Sequence, residues 1–141
     1  MQHVIIPDTY LDLLNGPIVA SIATIMPNGY PQVTPVWCLL KEGMIYTTTG
    51  RNFQKRRNMS NNPKVTLFIF HPMNHLRYLE IRGIVDEISE EGAIACLDEL
   101  CMIYTGMTPY YGKLVDASLK DEEHQVLVKI RPIRVNGRDF R

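Results

Sequence analysis

Between Pro17 and Gly50 the chain reverses direction at short, regular intervals. "PIVASIATI" (17–25), "QVTPVWCLL" (32–40) and "MIYTTT" (44–49) are rich in β-branched and aromatic residues. Only "MPNGYP" and "KEG" separate them. Side chains of this kind favour extended backbone, and connections this short join antiparallel neighbours. The Asn28-Gly29 pair is the residue choice of a tight hairpin turn. Pro35 has no N–H to give to a ladder, so its strand must be an edge, a bulge or a bend.

The remainder follows the same pattern. "PDTYLDLLNG" reads as a short helix before the first strand, with Pro7 and Asp8 at its start and Asn15-Gly16 at its stop. "NFQKRRNMS" can form another after Gly50, broken by "NNP" at 61–63. "KVTLFIF" is a buried strand, "HPMNH" a loop. In "RYLEIRGIVDEI" Leu79, Ile81, Gly83 and Val85 face one way and Tyr78, Glu80 and Arg82 the other. Ser89 is a candidate N-cap for a helix over 89–104, whose Ala93, Leu97, Leu100, Cys101 and Tyr104 share one face. That helix is expected to pack and to carry no catalytic residue. A Gly-, Pro- and Tyr-rich loop spans 105–113, and "HQVLVKI" and "IRVNG" are expected to supply one or two closing strands around Pro132. Six mostly hairpin-joined strands with a few helices predict a mainly β fold, a six-stranded antiparallel barrel with peripheral helices, which also removes exposed strand edges. With 141 residues and no linker, repeat or low-complexity tract, the whole chain, 1–141, is expected to form a single domain.

Composition narrows the function classes. Fifteen basic side chains balance fifteen acidic ones, which argues against a general affinity for nucleic acid or anionic membrane. No run is long enough to span a bilayer, and "MQHVIIPDTY" lacks the basic and apolar regions of a secretion signal. Three cysteines, Cys38, Cys96 and Cys101, with no C-x-x-C, read as buried free thiols in a reducing compartment, so the cytoplasm is the expected location.

One stretch departs from this neutrality. In "TTTGRNFQKRRN" (47–58) three hydroxyls and a glycine run into Arg51, Lys55, Arg56 and Arg57 at a strand end. Hydroxyls, backbone amides and cations converging on a turn are what a phosphate needs. Arg51 and Lys55 lie one helical turn apart if residues 52–59 are helical. A solvated helix with scattered cations accounts for the same spacing, and both readings stay open. The stretch is not a Walker loop. His71 and His75 have a helical metal-ligand spacing, but Pro72 and Asn74 between them oppose a helix, so no metal site is expected. No G-x-S-x-G and no marked carboxylate pair advertises a nucleophile or an acid–base couple, which suits an enzyme whose cofactor carries the chemistry. Trp37, Tyr78, Tyr104, Tyr110 and Tyr111 can supply flat walls for an aromatic cofactor, or can be core and interface aromatics.

Taken together, "IATIMPNGYPQVTPVW", "IYTTTGRNFQKRRNMSNNPKVTL", "RYLEIRGIVDEISEEGA" and "LCMIYTG" resemble the pyridoxamine 5'-phosphate oxidase-like superfamily of FMN-binding split barrels, and within it the F420- and FMN-dependent oxidoreductases. The likeness runs from about Tyr10 to Val135. It implies a split barrel, a homodimer with cofactors at the subunit interface, and hydride transfer from reduced F420 or FMN to an unsaturated small molecule. It implies Lys55 on the cofactor phosphate, helped by Thr48, Thr49, Arg51, Arg57 and Asn58. Gln32, Pro35, Val36 and Trp37 would line the ring, and Tyr78 and Tyr110 the substrate side. Two alternatives accompany this reading: a cofactor-binding carrier or sensor without turnover, and an FMN enzyme like pyridoxamine 5'-phosphate oxidase itself. Phe53 and Gln54 stand where relatives often carry arginine, and "NGRDFR" lacks the further substrate-binding segment of true pyridoxamine phosphate oxidases.

Overall fold

The strand expected over 32–40 is cut in two at Trp37. Pro31–Val36 (β2) pairs antiparallel with Ala20–Ile25 (β1), whereas Cys38–Lys41 (β3) pairs with Met44–Gly50 (β4). Lys64–His71 (β5), Asn74–Ser89 (β6) and Gln125–Asp139 (β7) complete one antiparallel sheet in the order β2-β1-β5-β6-β7-β4-β3. The two edges of the sheet are thus two halves of one stretch of chain, joined by a single residue. This closes the sheet into a split β-barrel with a seam at Trp37. A strict count gives seven strands rather than six because of that break. The computed structural model describes residues 2–141.

Local chemistry explains the turns. Glu42 and Gly43 both have positive φ, 54° and 77°, and close β3 onto β4 through a two-residue turn. At Asn28-Gly29 only the glycine is left-handed, at 88°. The Asn28 side chain instead accepts from Tyr30 N, and Met26 N bonds Tyr30 O, so this turn is wider than the pair alone suggests. "HPMNH" contains a tight reversal, since His71 pairs directly with Asn74.

One expectation about the helices is corrected. Ser89 is not a helix cap; it ends β6, paired with Leu127, and the helix Ala93–Thr105 (call it α3, after Leu11–Asn15, α1, and Gln54–Asn61, α2) starts behind Gly92. The ladder outcompetes the capping preference. The closing segments form one strand, β7, which runs through Pro132. Its partner there is Gly83, at a register slip that absorbs the missing N–H. A Cβ on Gly83 would lie 2.4 Å from the Ile130 side chain.

Inward-facing residues alternate as the pattern predicted: Val65, Leu67 and Ile69 on β5, Leu79 and Ile81 on β6, Val128 and Ile130 on β7, all buried. Each contributes about 1.5–3 kcal/mol relative to exposure. Leu13 and Leu14 of α1 join this core. α3 buries Ala93, Cys96, Leu97, Leu100 and Cys101, most of them in a second cluster with Leu39 and Leu127. The three cysteines are free and buried, and burial pushes the Cys38 thiol up to about 12. A short helix, Leu119–Glu123 (α4), precedes β7. No described helix is long and apolar enough to cross a membrane.

Candidate functional site

At the seam, the end of β2 and the end of β4 diverge and leave a cavity of about 240 Å³. Pro35, Val36 and Trp37 form one wall, and Thr48, Thr49 and Gly50 the other. Phe53 and Lys55 come from the turn and helix behind β4, and Leu97, Tyr110, Glu123 and Gln125 close the far side. An adjoining hollow is lined by Gln32, Thr34, Phe53, Gln54 and Lys55. Phe53 and Lys55 belong to both spaces, so they stand at the junction. The Phe53 ring lies directly over Gly50: a Cβ there would meet the ring at 2.5 Å and the ring would have to shift.

Lys55 is the cation that faces this junction. Its Nζ donates to Thr34 Oγ1 at 3.1 Å and makes no described ion pair. Burial without a carboxylate lowers its pKa from the ordinary lysine value. An ammonium in that position is stabilised by any anion that enters. The other cations of the cluster are engaged elsewhere. Arg51 Nη1 pairs with Glu90 at 3.0 Å, Arg56 Nε donates to Arg51 O at 2.6 Å, and Arg57 folds back onto Asn52 O and Gln54 Oε1. Asn58 is fully buried: its Nδ2 donates to Thr24 Oγ1 and Gln32 Oε1, and its Oδ1 accepts from Gln54. Thr47 Oγ1 donates to Trp37 O at 2.7 Å and fixes the break between β2 and β3.

Two buried oxygens on the cavity-lining residues have no partner, Thr49 Oγ1 and Gln125 Oε1. Buried polar groups are ordinarily paired, so orphaned ones at a cavity leave a place for a water or for a polar atom of a ligand. The aromatic wall is pre-ordered. Trp37 stacks on Tyr104 with centroids 5.2 Å apart and meets the edge of Tyr110 at 6.0 Å. Tyr104 OH bonds Ile18 O and the backbone of Cys38, so it serves the fold, and burial raises its pKa.

The structure therefore brings together Thr48, Thr49, Lys55, Pro35, Val36, Trp37 and Tyr110 at the cavity, with Gln32 in the adjoining hollow. It does not bring Arg51, Arg57, Asn58 or Tyr78 to either wall. Tyr78 packs against Phe68, 5.7 Å away, on the outer face of the sheet. Sequence reasoning missed Thr34, although it shares a strand face with Gln32, and period-two alternation could have found it. It also missed Glu123 and Gln125, which carry no motif, and Leu97, which serves both the helix packing and the cavity wall.

The site thus combines, in a small split barrel, a half-buried lysine bonded to a hydroxyl with an aromatic-walled seam. The family model of pyridoxamine 5'-phosphate oxidase matches residues 6–138, so the chain belongs to that family. Over 86 residues it is 37% identical to a pyridoxine/pyridoxamine 5'-phosphate oxidase of Rhodopseudomonas palustris (strain BisB5), covering 57% of this chain and 38% of that protein. The chain thus matches well under half the length of this curated relative. Among solved structures it is similar to an F420 reductase, with 30% identity, a TM-score of 0.79 and coverage of 93% of this chain and 98% of that one. It is also similar to a conserved hypothetical protein of Mycobacterium tuberculosis, with 25% identity, a TM-score of 0.73 and coverage of 98% and 87%.

Proposed function

We propose that the protein is a flavin- or deazaflavin-dependent oxidoreductase that binds FMN or F420 and reduces an unsaturated small molecule. The observation that carries this reading is Lys55: a half-buried ammonium bonded only to Thr34, at the junction of a walled cavity and an open hollow. The residues present fit such a group. The orphaned Gln125 oxygen offers a polar contact to a ring edge, and Phe53 is seated on a glycine that leaves it room. When bound, the reduced ring supplies the hydride. Lys55 holds the phosphate, Pro35, Val36 and Trp37 wall one side of the ring, and the packed Trp37, Tyr104 and Tyr110 rings exclude water.

A homodimer completes this reading. The outer face of the barrel exposes Val33 (63%), Phe68 (39%) and Phe70 (47%), beside Tyr78. Through the pair Ser21–Phe68 and the pair Ser21–Pro35, that face runs to the lip of the cavity. A second copy seated there would cover the apolar patch, wall in the ring and bring Tyr78 into an interface of roughly 2,000 Å² or more. We place the protein in the cytoplasm.

The test is titration of the purified protein with FMN, F420 and riboflavin, followed by absorbance, with sedimentation at micromolar concentration. A dimer that binds FMN or F420 more tightly than riboflavin is expected. Failure to bind any of the three sinks the reading, and a monomer sinks the dimer. Tight binding with no reduction of any enone or quinone tested would reduce the protein to a carrier or sensor.

A further inference from the structure

Gln125 sits where β7 begins, and its amide is not free to choose its orientation. Tyr111 OH donates to Glu123 Oε1 at 2.6 Å. A phenol has one proton, and it is used there, so the Tyr111 oxygen can only accept. Gln125 Nε2 donates to it at 2.9 Å. A flipped amide would set its carbonyl oxygen against that phenol oxygen, two acceptors facing each other. The pair Glu123–Tyr111 therefore locks Gln125 with Oε1 pointing away from the phenol. That Oε1 is buried and unpartnered, as is Thr49 Oγ1. Thr49 opposes Val126 and Gly50 opposes Gln125, so the Gln125 side chain shares the face of Gly50 at the cavity, while that of Thr49 takes the opposite face of the strand pair.

We propose that Gln125 is a fixed acceptor, oriented by Tyr111 and Glu123, that selects a ligand edge carrying an N–H. This rests on the ring-cofactor reading above and says which edge of the ring meets which residue. Flavin and deazaflavin rings both carry an imide edge, an N–H between two carbonyls. Gln125 Oε1 accepts from that N–H. Tyr111 and Glu123 are positioning residues here, acting through the amide of Gln125. The acceptor discriminates because a ligand without the N–H leaves it buried and unpaired.

The test compares FMN and 5-deaza-FMN with their imide N-methyl derivatives, by equilibrium titration. The wild type is expected to bind the parent rings about 10- to 100-fold more tightly than the methylated ones. Gln125→Met keeps the length of the side chain and removes the acceptor, and it should bring that ratio close to one. Tyr111→Phe leaves Gln125 in place but frees its amide to rotate. It should shrink the ratio several-fold while circular dichroism stays native, which a purely structural role for Tyr111 would not do. Equal affinity of the wild type for parent and methylated rings overturns the proposal. So does a ratio that survives Gln125→Met, because the methyl group then clashes elsewhere. If neither parent ring binds, the ring-cofactor reading falls and the proposal with it, a result distinct from binding without discrimination.

Discussion

Arg77 and Lys55 are both drawn away from solvent in this barrel, and they are treated in opposite ways. Arg77 on β6 is 3% exposed and has its guanidinium filled. Both oxygens of Asp12 accept from it at 2.6 and 2.9 Å, Asp139 at 2.6 Å and Thr9 O at 2.6 Å. These partners come from the start and the end of the chain, so Arg77 clasps both termini to the barrel. Lys55 has a single neutral hydroxyl at 3.1 Å. A buried cation surrounded by carboxylates belongs to the fold. One left with an alcohol, beside a cavity, is where we propose that the ligand's anion binds. Composition cannot separate the two, because the difference lies wholly in what the topology carries to each of them.

The largest expected effect is on the filled cation. Arg77→Met should destabilise the protein by about 3–5 kcal/mol, the usual cost of breaking a buried ion pair from one side. The lower end is favoured because the Asp12 carboxylate is largely exposed and can hydrate. Urea unfolding followed by circular dichroism measures this. The affinity of the folded fraction for FMN should stay within about twofold, since no part of the clasp lines the cavity. Unchanged stability would mean that Arg77 is no staple.

On the open cation, Lys55→Ala should do the reverse. Charge-assisted hydrogen bonds contribute about 1.5–3 kcal/mol, so FMN or F420 should bind roughly 10- to 150-fold more weakly. Riboflavin, which has no phosphate, should change little, and stability should hold. Equal weakening of phosphorylated and unphosphorylated rings would remove Lys55 from its role as anchor.

A third variant converts one kind of cation into the other. Thr34→Asp places a carboxylate where Lys55 now finds a hydroxyl. Lys55 then has its anion built in, and a phosphate must compete with it. FMN affinity should fall about tenfold while riboflavin affinity holds. Stability should change by no more than about 1 kcal/mol, because the site is only half buried. Unchanged FMN affinity would show that the phosphate binds elsewhere.

How much of this could be read from the sequence follows from the range of the interactions. The barrel was legible because strand alternation and turn chemistry are local: Leu79 and Ile81 announce their face within five residues. Ser89 misled because its capping tendency is local and weak, whereas the ladder to Leu127 is cooperative and distant in sequence. The contacts within the 47–58 cluster were half legible. Lys55 and Thr49 stood out, but nothing near Arg51 in sequence shows that Glu90, thirty-nine residues on, takes it. Asn58 was visible as a polar residue and not as a buried one, because its partners Thr24 and Gln32 arrive from another hairpin. Gln125 carried no signal. Its meaning depends on the proton of Tyr111, which no pattern of residues displays.

The smallest effects are those of pH, and they separate the two cations once more. Asp139, bonded by Thr9 and Arg77, has its carboxyl held down at about 2 against an ordinary 3.8. The unfolded chain therefore binds the proton more readily. The clasp's contribution is complete above about pH 4 and is lost as pH falls towards 2. Asp139→Asn should flatten that acid limb of the stability curve. Lys55 acts at the other end. Its folded pKa lies below the ordinary 10.5 because burial disfavours the charge. Between the lowered value and 10.5 the unfolded state binds more protons, so this penalty is relieved, and stability rises, as pH increases through that window. A bound phosphate restores the charge, so binding favours the protonated lysine. Above pH 7, where the ligand phosphate is fully charged, the ratio of FMN to riboflavin affinity should fall as pH rises, by no more than tenfold per unit. Lys55→Ala should show a flat ratio over the same range. A wild-type ratio that stays level to pH 10 would mean that the ammonium never meets the phosphate, and Lys55 would then be an unpaired cation with no ligand to hold.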